Sequence, residues 1–225
     1  LKVYEYFSND KYWYYIMEYL SGGQLYEYIY NMDYYTEYIA AKIMKQIFSV
    51  VSYLNQMNIV HRDLKPENMM LTKNKKNLEL KVIDFGTATY VNEKKLSLKI
   101  GTIYYMAPEV FKGCYGLECD MWSCGIIMHI LLVGKPPFDG KSQKEIMDKI
   151  MKKEINFNSN IYSDISNSAK DLLKKILVKV PEKRITATDA LMHKWIIKYS
   201  KNDNNSNNTS SPEKLSDKKE TMLSL

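Results

Sequence analysis

His61-Arg62-Asp63-Leu64-Lys65-Pro66-Glu67-Asn68 sets the reading of the whole chain. A lone Asp or Lys in a loop usually makes a local turn bond and nothing more. Here an Asp, a Lys and an Asn fall within six residues, and two further short signatures follow in order. Asp84-Phe85-Gly86 begins twenty-one residues after Asp63, and Ala107-Pro108-Glu109 ends twenty-five residues after Asp84. Three motifs in one order are much harder to reach by chance than any one of them.

The segments around them have readable periods. Upstream, Ile39, Ile43, Ile47, Val50, Val51 and Leu54 recur at helical spacing, and Thr36 suits an N-cap, so residues 36–57 predict a long amphipathic helix. Before that, the aromatic-rich runs 3–7 and 12–17 flank Ser8-Asn9-Asp10-Lys11 and predict a hairpin. Residues 78–83 read as a strand leading into Asp84, and the stretch from there to Glu109 as a polar loop without periodicity. Helices are expected over 120–133, 142–153, 168–178 and 188–195. Residues 200–225 are polar, of low complexity and expected to be disordered.

A chain of 225 residues, 45% hydrophobic and 26% charged, suits one domain with a substantial core. The longest apolar stretch, 124–133, is broken by Gly125 and His129. It is far short of the roughly 20 residues a bilayer crossing needs, and reads as a buried helix. The five-residue spacing of Cys114, Cys119 and Cys124 fits neither a zinc motif nor an even disulfide framework. Reduced, mostly buried thiols in a cytoplasmic protein are expected. The +6 net charge comes from scattered lysines with no basic stripe, so no nucleic-acid partner is expected.

On its three motifs the chain resembles the eukaryotic protein kinases. Residues 61–68 match H-R-D-L-x-x-x-N at every fixed position, and the likeness runs from residue 1 to about 199. It implies an α+β, protein-kinase-like fold, mainly the helical C-terminal lobe with the last two strands of the N-lobe. Residues 1–17 would be those strands, 18–20 the hinge and 21–199 the C-lobe. It also implies transfer of the γ-phosphate of ATP, with Mg²⁺, to protein Ser/Thr hydroxyls, a reaction that asks mainly for positioning and charge stabilisation. In that frame Asp63 would accept the substrate proton, Lys65 would add a cation, and Asn68 and Asp84 would offer oxygen ligands to the metal. Thr102 would bridge Asp63 and Lys65, as in the Ser/Thr class. Met17 would be the gatekeeper, the backbones of Glu18 and Leu20 would meet adenine, and Met70 would lie beneath the base. Glu67 joins this binding set and would read basic residues of a substrate. Glu109 would pair with Arg184, and Asp120 would hold the catalytic-loop backbone while also suiting a helix N-cap.

Residues 101–110, 120–123, 134–138, 184–187 and 193–196 resemble the calcium/calmodulin-dependent kinase group, and within it the calcium-dependent protein kinases of plants and protists. Those kinases carry EF-hands after the catalytic domain. The pattern D-x-[DN]-x-[DN]-G does not occur here, so a calcium-sensing module is expected outside the chain.

Several positions depart from the pattern. Gln24 replaces the usual acidic residue after Gly22-Gly23. Leu98, beside Ser97, replaces an acidic partner of Arg62. Thr87 after Asp84-Phe85-Gly86 suggests a preference for Thr as acceptor. No glycine-rich loop, strand Lys or partner Glu precedes the hinge, so the chain reads as N-terminally truncated and is expected to be inactive alone, with its two aromatic strands uncovered and prone to aggregate. Retention of Asp63, Lys65, Asn68 and Asp84 favours an active kinase over the alternative, an N-lobe-less remnant acting as a binding scaffold.

Overall fold

The computed structural model describes residues 1–31, 36–72 and 78–200. The expected disordered tail, apart from Ser200, lies outside these residues.

Strands β1 (Val3–Ser8) and β2 (Trp13–Met17) pair antiparallel, from Val3 opposite Met17 to Ser8 opposite Trp13. Asn9 closes the turn as its side-chain oxygen accepts the amides of Lys11 and Tyr12 at 2.9 and 2.8 Å. Both strands are exposed along their length. A six-residue helix unread from the sequence, α1 (Leu25–Tyr30), follows.

The apolar stripe after Thr36 becomes α2 (Glu37–Gln56), and Thr36 Oγ1 accepts the Ile39 amide at 3.5 Å. Beyond it, β3 (Ile59–Val60) runs into residues 61–68, and those run into β4 (Met69–Leu71). Strand β5 (Leu80–Val82) pairs with β4 and delivers Asp84, while β6 (Thr89–Tyr90) returns to pair with β3. Two small ladders thus hold the 61–68 loop at both ends and carry Asp84 back beside it.

The 84–109 stretch is less irregular than expected, because it contains β6 and the start of α3 (Pro108–Lys112). Helix α4 (Glu118–Val133) is buried from Cys119 to its end, as an element apolar on every side must be. Helices α5 (Gln143–Lys152) and α6 (Asn167–Ile176) start at Ser142 and Ser166, whose hydroxyls accept the amides of Glu145 and Ala169. The end of α6 approaches α4 closely enough that a Cβ on Gly125 would stand 2.6 Å from Leu177 Cδ2. Only a glycine admits that approach.

The expected helix 188–195 is instead two helices, α7 (Ala187–Leu191) and α8 (Lys194–Ser200). His193 makes the break: its Nδ1 accepts the Trp195 amide at 3.3 Å, and its Nε2 sits 3.0 Å from Asp171 on α6. A buried carboxylate ties the ends of the fold together. Glu37, at the start of α2, accepts the amide and hydroxyl of Ser166 at 2.6 and 2.7 Å and the Trp195 indole N–H at 2.8 Å.

Candidate active site

Residues 61–68 are shaped from below by α4. Asp120 accepts the backbone N–H of His61 at 2.7 Å and of Arg62 at 3.0 Å, which supports Arg62 in the left-handed region at φ 72. Burial pushes the Asp120 carboxyl above the ordinary range, and the two amide donors oppose that rise. The sequence also allowed Asp120 as an N-cap, and this is corrected: Leu117 occupies the cap and Asp120 lies in the first turn, its carboxylate spent on the loop. The His61 ring meets Phe85 edge-on at 4.9 Å between centroids.

Asp63 sits at the centre of a small network. Thr102 donates to its Oδ1 through both the backbone N–H, at 3.0 Å, and the hydroxyl, at 2.8 Å. The Lys65 ammonium lies 3.0 Å from Oδ2 and donates to the Thr102 hydroxyl at 2.9 Å. The Asn68 amide nitrogen donates to the Asp63 carbonyl at 2.9 Å and to Oδ2 at 3.2 Å. Partial burial pushes the Asp63 carboxyl up, but the bonds from Thr102 and Lys65 and the nearby Lys65 charge outweigh it and hold the group below the ordinary value. Gly101 lets Thr102 come this close: its φ is 118, and a Cβ there would stand 2.6 Å from the Arg62 carbonyl.

With the Asn68 nitrogen turned to Asp63, its side-chain oxygen is left as an acceptor. The Asn68 carbonyl also accepts the Ile83 amide at 2.9 Å, extending the β4–β5 ladder and placing Asn68 beside the residue that leads into Asp84. Asp84 is exposed, stands at φ 60 and accepts the Gly86 amide at 3.2 Å. Two side-chain oxygen donors at one end of a ladder fit a hard divalent cation such as Mg²⁺, which draws its remaining ligands from phosphates and water. No group of three or more His, Cys, Asp or Glu side chains suited to a metal gathers among the described residues.

The segment after β2 lies against β4, because Gly22 N–H donates to the Leu71 carbonyl and Leu71 N–H to the Gly23 carbonyl, both at 2.9 Å. Gln24 bridges to the half-buried Met70 in the same contact. Met17 is 46% exposed at the end of β2, Leu20 is buried, and the Glu18 amide donates to the Lys2 carbonyl at 2.9 Å. Glu67 and Gln24 are exposed.

Glu109 and Arg184 form a bidentate pair at 2.5 and 3.0 Å, and Arg184 also donates to the carbonyls of Val178 and Glu118. Among the described residues Arg62 forms no ion pair with an acidic side chain. Its Nε donates to the Thr87 carbonyl, and its Nη1 reaches the Tyr115 hydroxyl at 3.5 Å. Tyr115 carried no local signal in the sequence, since its partners lie 17 and 53 residues away. No helix among the described residues is long and apolar enough to cross a membrane.

The protein kinase domain model matches residues 1–196. Calcium-dependent protein kinase 4 of Plasmodium berghei (strain Anka) and of Plasmodium falciparum (isolate 3D7) are each 44% identical over 206 residues, covering 91% of this chain and 39% of the relative. Calcium-dependent protein kinase 3 of Plasmodium yoelii yoelii is 42% identical over 200 residues, covering 88% and 37%. The chain therefore spans about two fifths of the length of these curated relatives. Since the family model covers most of the chain, the chain belongs to the protein kinase family.

Proposed function

We propose that the protein carrying this chain is a Ser/Thr protein kinase of the calcium-dependent kind, which transfers the γ-phosphate of ATP to Ser or Thr hydroxyls of protein substrates. The observation that carries this reading is the network in which Asp63, Lys65, Asn68 and Thr102 hold one another within 3.2 Å.

Asp63 receives the proton of the acceptor hydroxyl as that oxygen bonds to the γ-phosphorus and the bond to the ADP leaving oxygen breaks. Its depressed basicity suits a group that orients the hydroxyl first and takes the proton late. Lys65 places positive charge beside the transferring phosphoryl group, and Thr102 keeps Asp63 and Lys65 in register. Asn68 and Asp84 would hold Mg²⁺, which neutralises phosphate charge when bound. Met17, Met70 and the backbones of Glu18 and Leu20 would border the adenine, and exposed Glu67 would meet the substrate. The relatives' names support a calcium-sensing module elsewhere in the whole protein.

The test is phosphorylation of a Ser/Thr peptide library by the full-length protein with and without calcium, beside Asp63→Asn. Phosphoserine or phosphothreonine formed by wild type and abolished in the variant upholds the proposal. Wild-type protein that binds ATP without transferring phosphate would sink it.

A further inference from the structure

Arg62 adjoins Asp63, yet among the described residues no carboxylate forms an ion pair with its guanidinium. Its bonds go to the Thr87 carbonyl and the Tyr115 hydroxyl. Tyr115 is 1% exposed and is held by more than packing. Its hydroxyl donates to the Leu98 carbonyl at 2.6 Å, and its backbone exchanges two hydrogen bonds with Leu96, at 2.8 and 3.1 Å. Three bonds thus fasten residues 96–98 to Tyr115, and a fourth joins Tyr115 to Arg62.

A tyrosine hydroxyl is one donor and also an acceptor, so a single oxygen can give its proton to Leu98 while receiving from Arg62. Only Lys99, Ile100 and Gly101 separate Leu98 from Thr102, and Gly101 rests against the Arg62 carbonyl. Leu98 itself turns its side chain outward and is 61% exposed, so it offers Arg62 only its carbonyl, through Tyr115.

We propose that Tyr115 is a positioning residue. By holding Leu98 and Arg62 through one hydroxyl, it seats Thr102 on Asp63 in the unmodified chain, so the transfer geometry does not wait for phosphorylation of residues 96–98. This rests on the kinase reading above, and two independent readouts keep the two ideas apart.

The experiment compares phosphatase-treated full-length wild type, Tyr115→Phe and Tyr162→Phe, with ATP and a Ser/Thr peptide. Tyr162→Phe is the control, since it removes another internal hydroxyl, 2.8 Å from His129. Tyr115→Phe is expected to lower kcat about tenfold, the scale of one lost hydrogen bond, with KM for ATP unchanged. Amide exchange over residues 97–102 should quicken while α4 stays protected, and Tyr162→Phe should do neither. Either readout of Tyr115→Phe staying at the wild-type level overturns the proposal, and so does a wild type that loses activity on phosphatase treatment. If untreated wild type transfers no phosphate at all, the kinase reading fails, and the exchange of residues 97–102 alone decides whether Tyr115 is the tether.

Discussion

Thr102 places both of its donors on one oxygen of Asp63, the amide at 3.0 Å and the hydroxyl at 2.8 Å, while that same hydroxyl accepts the Lys65 ammonium. Among the described residues this side chain is the only neutral one hydrogen-bonded to both charges. Thr102→Ser keeps this hydroxyl and should hold kcat within about threefold. Thr102→Val keeps the shape and the amide bond but frees Lys65 and Asp63 to drift, and should lower kcat roughly ten- to hundredfold. Steady-state kinetics of the full-length protein decides between them.

The same network fixes a pH dependence. Burial raises the Asp63 pKa, but the Thr102 and Lys65 bonds lower it further, so the folded value lies below the unfolded one. The stability this contributes is fully present above the unfolded carboxylate range and is lost as pH falls through the folded value. The acid limb of kcat/KM should accordingly lie below the ordinary Asp range, and Thr102→Val should move it upward. A limb that stays in place in the variant would assign it to another group.

Arg184 grips Glu109 with two donors, and both side chains are almost fully buried. Removing one partner strands the other charge inside the protein. Glu109→Ala should cost about 3 to 5 kcal/mol in denaturant unfolding, whereas the double change Glu109→Leu with Arg184→Met should recover much of that loss. It should not recover activity, because α3 would lose its anchor to the 178–184 segment.

Cys114 is exposed, whereas Cys119 and Cys124 are buried in α4, and burial pushes both of those thiols well up. One of the three thiols should react promptly with a disulfide reagent near neutral pH, and the other two only at the rate at which the core opens. Mass mapping of the modified peptide should find Cys114.

What could be read from the sequence depended on how far away each partner lies. Helix α2 was legible because its stripe and its Thr36 cap are local, and the β1–β2 hairpin because Asn9 forms its own turn. Asp63, Asn68 and Asp84 stand out as candidates because they sit in short motifs of fixed spacing. The break between α7 and α8 was missed because His193 is not a usual cap residue and does so only while anchored on Asp171. Asp120 passed equally for an N-cap because its real partners, His61 and Arg62, lie 59 and 58 residues away. Glu37 and Tyr115 gave no signal for the same reason, since each is defined by contacts that exist only after the chain has closed on itself.

The exposed hairpin has an optical consequence. Of the three tryptophans, Trp13 lies on β2 and is 67% exposed, while Trp122 and Trp195 are wholly enclosed by the helices. A two-stranded ribbon is marginal in water by itself, whereas the helical core opens cooperatively. The chain thus carries two colours of intrinsic emission: a red-shifted one that dissolved iodide extinguishes at once, and a blue one that iodide reaches only when the interior melts.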